Sequence, residues 1–211
     1  MPLGAVKVLS ELLVASAVAA VVLRHLRHGV AALALQGLSL GVLAALASHS
    51  PIGIVSALLA VGAKAVLVPW LLHRTALRTI AFERLEGVSS WAYAGIVGVL
   101  VSVRLIAPGL GSAVAGPALV ALMPAALAAT LLGLLVVASR QLLTGQILGL
   151  ALTENGLYAA GIALTHGLPA VLDLAILLDL FLALLVLLWL TGHVQATWGH
   201  IDVDRLDQLR G

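Results

Sequence analysis

Seven apolar stretches of about twenty residues, separated by short connections that together with the tail carry most of the charge, restrict this chain to very few folds. They run approximately Leu3–Leu23, Gly29–Ser48, Pro51–Leu72, Ser89–Ala107, Pro117–Ala138, Gln141–Leu164 and Pro169–Leu190. About 20 apolar residues in an α-helix cover the roughly 30 Å hydrocarbon layer of a bilayer. A β-barrel would instead show alternating segments of about ten residues. The expected fold is therefore all-α, a polytopic transmembrane helix bundle of about seven spans. Composition agrees: 62% of the 211 residues are hydrophobic and 9% charged, where soluble domains carry about 25% charge. The first stretch holds Lys7 and Glu11 and is long for a cleaved leader, so it is read as a retained helix.

The arginines set an expected orientation. Arg24 and Arg27 follow the first span, Arg74, Arg78 and Arg84 the third, Arg140 the fifth, and Arg205 and Arg210 lie in the tail. The alternate connections hold no Lys or Arg. The positive-inside rule then puts the N-terminus outside and the C-terminus in the cytoplasm. The alkaline pI follows from this topology and gives no reason to expect nucleic acid as a partner. The connection His73–Gly87 mixes Arg74, Arg78, Glu83, Arg84 and Glu86 with Leu77, Ile80, Phe82 and Leu85, the pattern of a short interfacial helix. The tail 191–211 alternates Asp202, Asp204 and Asp207 with Ile201, Val203, Leu206 and Leu209, which fits docking on a partner subunit.

The Pro/Gly-rich segment 108–117 is the expected seam between an N-terminal four-helix region, residues 1–108, and a C-terminal three-helix region, residues 117–190. An internal echo crosses it. Leu35-Gln36-Gly37 followed by Lys64 parallels Glu154-Asn155-Gly156 followed by Asp179, compatible with a three-helix duplication.

Charges inside the spans are the chemical signal. A charged side chain at mid-bilayer costs about 2.5–3.5 kcal/mol on insertion scales, so such residues concentrate on ion and proton paths. Glu154 lies about 20 Å along its helix from Arg140, and Asp179 ten residues from Pro169. Lys64 occupies the middle of the third span. A proton relay of Glu154, Asp179, Lys64 and Asp173 is expected, with Asn155, Gln36 and Glu11 in support. Asp173 sits about 120° round its helix from Asp179 and nearer the outer surface. Gly156 should permit close helix approach. Lys7 and Glu11, at i,i+4, are expected to pair, and Arg104 to snorkel to the surface. There is no cysteine, and the seven histidines show no metal spacing, so no metal or other cofactor is expected.

Ser139-Arg140-Gln141, Gln146-Ile147-Leu148-Gly149, Glu154-Asn155-Gly156, Leu168-Pro169-Ala170, Leu172-Asp173, Leu178-Asp179 and the tail Gly199–Gly211 resemble hydrogenase-4 component E, as does Lys64-Ala65-Val66-Leu67-Val68-Pro69 further upstream. The C-terminal third is also similar to subunit K of respiratory complex I, which has a glutamate in each of its last two helices. Asp179 falls at the second of these. Glu154 lies one turn from the first, whose own position here is Ala151; three residues turn a helix by about 300°, so the carboxyl keeps nearly the same face. Asp173 replaces what is often Glu. The resemblance implies a non-catalytic membrane subunit of a complex I-like, formate hydrogenlyase-type assembly in a bacterial or archaeal cytoplasmic membrane. Its partners would be antiporter-like membrane subunits and peripheral nickel–iron and iron–sulfur subunits. A subunit of a multisubunit cation/proton antiporter is the alternative, and a purely structural scaffold a third.

Overall fold

The computed structural model describes residues 2–48, 51–77, 90–110, 117–141, 143–165 and Trp189. Among the described residues all regular structure is helical: α1 (Leu3–Val22), α2 (Leu26–Ala47), α3 (Pro51–Val61), a π-helical segment Gly62–Leu67, α4 (Val68–Leu77), α5 (Ser90–Leu110), α6 (Pro117–Ser139) and α7 (Leu143–Thr165). Five of these, α1, α2, α5, α6 and α7, are long and apolar enough to cross a membrane. The stretch Pro51–Leu77 is a sixth helical run, interrupted by the π segment. The expected seventh span, the tail and most of the anticipated interfacial helix lie outside the described residues.

Local chemistry explains the breaks. Pro51 and Pro117 open α3 and α6 at first positions, where a missing N–H costs nothing. The π segment ends two residues before Pro69. Inside an α-helix Pro69 would clash with the carbonyl of Ala65 and leave it unbonded; the wider π turn relieves that crowding. Between α1 and α2 the chain turns through extended Leu23 and His25, and the Leu23 N–H donates to the Ala19 carbonyl at 2.8 Å.

Small residues set the packing, because lipid competes with any apolar face and close backbone approach is what remains to hold helices together. Antiparallel α6 and α7 meet at three glycines. A Cβ added at Gly133 would collide with Thr153, one at Gly149 with Val137, and one at Gly156 with Thr130. The close approach expected of Gly156 is therefore present. Helices α2 and α7 run parallel and in register: Gly29 packs on Leu148, and Gln36 bonds Asn155. Helices α1 and α6 are also parallel. At one end they border a common cavity through Ser10 and Pro124; at the other, Arg140 reaches the last carbonyls of α1. This parallelism needs an even number of reversals from α1 to α6, which α2, the Pro51–Leu77 run and α5 supply if that run crosses once.

The bundle has a centre and a rim. In the most apolar window of each helix, 67% of α7 and 61% of α2 are buried, against 17% of α5. On α5, Val97, Val101, Leu105 and Ile106 face outward. The innermost pair, α2 and α7, carries Gln36, Glu154 and Asn155.

Candidate functional site

The polar centre grows from three elements. Lys64 stands on the π segment, Gln36 on α2, and Glu154, Asn155 and Tyr158 on α7. The Lys64 backbone can lie against α2 because position 37 has no side chain. A Cβ on Gly37 would sit 2.7 Å from the Lys64 carbonyl carbon and 2.8 Å from the Ala65 nitrogen. A glycine on one helix thus fixes where the lysine of another begins.

The Lys64 ammonium is 1% exposed and forms an ion pair with Glu154, donating to both carboxylate oxygens. It also donates to Asn155 Oδ1 at 3.2 Å and lies 4.9 Å from the centroid of the Tyr158 ring, as a cation–π contact. Asn155 Nδ2 donates to Gln36 Oε1 at 3.0 Å, and Gln36 Nε2 reaches the Leu13 carbonyl of α1 at 3.4 Å. Gln36, Asn155 and Tyr158 are buried, while Glu154 keeps 19% of its side chain exposed. The result is a continuous polar track from α1 through α2 and α7 to the π segment, with the Lys64–Glu154 ion pair at the far end.

Desolvating two charges costs several kcal/mol per ion, and only close geometry with further hydrogen bonds offsets it. The Asn155 bond and the Tyr158 ring supply that support for Lys64. Interhelical amide bonds such as Gln36–Asn155 contribute about 0.6–2 kcal/mol, so they orient the pair more than they stabilise the bundle. A carboxylate and an ammonium in this setting can exchange a proton or pass charge to a third group.

Of the residues anticipated from sequence, the structure gathers Lys64, Glu154, Asn155 and Gln36 in one cluster. Glu11 lies elsewhere, exposed on α1 beside a separate cavity. Asp173 and Asp179 lie outside the described residues. The anticipated Lys7–Glu11 ion pair does not form: both side chains are exposed on α1 with no contact within 4.0 Å between them. An exposed i,i+4 pair gains only about 0.3–0.5 kcal/mol, too little to hold two long side chains together.

Arg140 lies in the connection between α6 and α7, as expected, but does not face solvent. Its side chain is buried, and Nη2 donates to the carbonyls of Ala20 (2.8 Å), Val21 (3.4 Å) and Leu23. These are carbonyls that helix α1 leaves unpaired at its C-terminus, where the dipole also favours a cation. Gln146 Nε2 donates in turn to the Arg140 carbonyl at 3.1 Å. Tyr158 and Arg140 carried no sequence signal of these roles; the one hint for Tyr158 was its spacing, four residues after Glu154 and so one helical turn along the same face. Among the described residues no group of His, Cys, Asp and Glu could hold a metal ion.

Comparison with known proteins places this site in context. No protein-family model matches the chain, and no solved structure does. An uncharacterized protein of Mycobacterium tuberculosis is 31% identical over 161 residues, 72% of this chain and 73% of its own length. Hydrogenase-4 component E of Escherichia coli K12 is 30% identical over 154 residues, 70% of this chain and 69% of its own, and the Shigella flexneri protein of that name matches to the same extent. The matched length, with five helices able to cross a membrane, makes this a multi-pass membrane protein. A polar centre within apolar helices, and an identity sustained over two thirds of both chains, place it in the hydrogenase-4 component E family.

Proposed function

We propose that the chain is a non-catalytic membrane subunit of a hydrogenase-type, complex I-like assembly, and that Lys64 and Glu154 belong to its proton or cation path. The observation that carries this reading is the Lys64–Glu154 pair, held by Asn155, Gln36 and Tyr158 among apolar helices. Scaffolding alone needs no charge there, since well-packed apolar residues serve as well or better than a buried pair. In this reading Glu154 takes up a proton and its charge disappears. The Lys64 ammonium then loses the Glu154 charge, and the proton or the ammonium can move on to a neighbouring group. Asp179 and Asp173, on the following apolar run, are assigned to the next steps by their depth and by the likeness of that region to complex I subunit K. Redox chemistry belongs to partner subunits, nickel–iron and iron–sulfur proteins among them, reached through antiporter-like neighbours in a bacterial or archaeal cytoplasmic membrane.

The test is proton translocation by the assembled complex in vesicles. Glu154→Gln and Asp179→Asn should each reduce pumping while the complex forms at normal yield and partner redox turnover persists. Full pumping by the double variant, at normal yield, refutes the assignment. The names of genes beside this one discriminate the two family readings: hydrogenase-like large and small subunits support it, and antiporter subunits alone favour the cation/proton antiporter.

A further inference from the structure

The polar track from the Lys64 centre ends on α1, at the Leu13 carbonyl, and close to that carbonyl the bundle opens. A cavity of about 1080 Å³ lies between α1, α5 and α6, room for tens of waters at about 30 Å³ each. Its walls run from one end of the bundle to the middle. Pro108 stands two residues before the end of α5 and Val120 three residues after the start of α6, at the end where α1 starts with Leu3. Val14 and Ala128 each lie eleven residues into their helices, about 16 Å along the axis. The cavity therefore joins one face of the membrane to mid-depth.

Its content follows from its walls. Lys7, Glu11 and Arg104 all border it and are exposed. Ionisable groups within spans face the protein interior or a water-filled space, because each costs about 2.5–3.5 kcal/mol in lipid at mid-depth. Lys7 and Arg104 have long arms that reach toward the surface; the carboxylate of Glu11, about 12 Å from the end of its helix, does not. Among the described residues Glu11 makes no ion pair or hydrogen bond. Ser10 gives the same answer. Ser16, Ser39, Thr130 and Thr153 each return their hydroxyl to a carbonyl three or four residues back, the usual recourse of a hydroxyl inside a helix. Ser10 lines the cavity at 4% exposure, and its Oγ has no partner among the described residues. A hydroxyl so placed costs about 1–3 kcal/mol unless water completes it.

We propose that this cavity is the aqueous inlet to the Lys64–Glu154 centre, with water reaching Ser10 from the Leu3 end of the bundle and Gln36 as the gate beyond it. The inference rests on reading that pair as part of a proton or cation path, and it supplies the side from which the path is entered. One helical turn separates Ser10 from Leu13, whose carbonyl accepts Ser16 Oγ at 2.9 Å and Gln36 Nε2 at 3.4 Å. The Gln36–Leu13 bond is longer than the Asn155–Gln36 and Lys64–Asn155 bonds, so it is the easiest of the three for water to replace. An amide pair such as Gln36–Asn155 holds hydrogen bonds but neither takes up nor releases a proton. Passage therefore requires Gln36 to leave Leu13 and admit water.

The experiment uses the assembled complex in vesicles, with single cysteines placed in a chain that has none. Ala121, Ala125 and Ala128 line the cavity at increasing depth on α6. Val101 lies at about the depth of Ala125, is 52% exposed and faces away from the cavity on α5. An impermeant thiol reagent added at the Leu3 face should modify Ala121→Cys, Ala125→Cys and Ala128→Cys about tenfold or more faster than Val101→Cys, because a hydrated thiol ionises to the reactive thiolate far more readily than one in lipid. Complete modification of Ala125→Cys with a bulky sulfonate reagent should then slow proton translocation severalfold, and Leu100→Trp, which narrows the cavity without any reagent, should do the same. Cavity cysteines that react no faster than Val101→Cys, or full translocation after complete modification of Ala125→Cys, would overturn the inlet and leave the path itself to be judged by Glu154→Gln. Full pumping by Glu154→Gln combined with Asp179→Asn removes the path, and the inlet with it, even where the cavity cysteines react fast.

Discussion

At Lys64 the cost of error is unusually high, because each partner of a buried pair makes the other tolerable. Lys64→Met or Glu154→Leu alone should lower stability by up to about 3–5 kcal/mol, the usual cost of breaking a buried pair from one side; Glu154→Gln, which keeps an acceptor for Lys64, should cost much less. The joint variant Lys64→Met/Glu154→Leu should recover much of that loss, and thermal unfolding in detergent measures both. Stability and function then part company: the double variant should fold and fail to pump. Gly37→Ala tests the same centre from behind. Its methyl group meets the Lys64 backbone rather than a movable side chain, so the lysine should shift and the loss should exceed that of Gly98→Ala, whose added methyl meets nothing within 4 Å.

Elements of this chain were easier to find than to assemble. Every described helical run, with Pro51–Leu77 taken as one, begins and ends within about five residues of its expected bounds, since apolar length and flanking charge are local properties. The shared depth of Lys64 and Glu154 pointed to their proximity, and the echo around Gln36 and Asn155 named two residues that turn out to bond each other. What the pattern lacked was rotation. Lipid is as apolar as the bundle interior, so a helix such as α6 has no polar stripe to say which side faces its neighbours. The π segment was also invisible, although Pro69 was its cause in plain view. Arg140 was read as a topology marker because charge counting does not ask which carbonyls a guanidinium can reach. Arg140→Gln should lower stability by about 1–3 kcal/mol through loss of the α1 cap, seen as a lower unfolding temperature with unchanged insertion. The parallel α2–α7 contact can be trapped directly. Cysteines replacing Gly29 and Leu148, where a Cβ on the first would meet the side chain of the second, should join through a short thiol-to-thiol crosslinker in an otherwise cysteine-free chain.

For the whole molecule, that lack of cysteine makes sidedness measurable one site at a time. Single cysteines introduced at Arg24 and at Ser48 should react with an impermeant thiol reagent from opposite faces of the membrane, Arg24 from the cytoplasmic one. The same face at both sites would overturn the expected alternation. Truncation after Leu190 should lower the yield of assembled complex while leaving insertion intact, as judged by co-purification of partner subunits; normal yield would leave the tail without a docking role.

The π segment, finally, is a helix with a residue to spare. A turn carrying a surplus residue can lose one and close into ordinary α geometry, so the chain should accept a single deletion between Gly62 and Leu67 where it would reject one elsewhere in the bundle. Which residue is lost decides the outcome. Deleting Val66, beyond the lysine, leaves Lys64 in phase with α3, whereas deleting Ala63 carries it about 100° round the axis and away from α7. Length variation at this one point is thus compatible with folding, and only half of it with an intact charge pair.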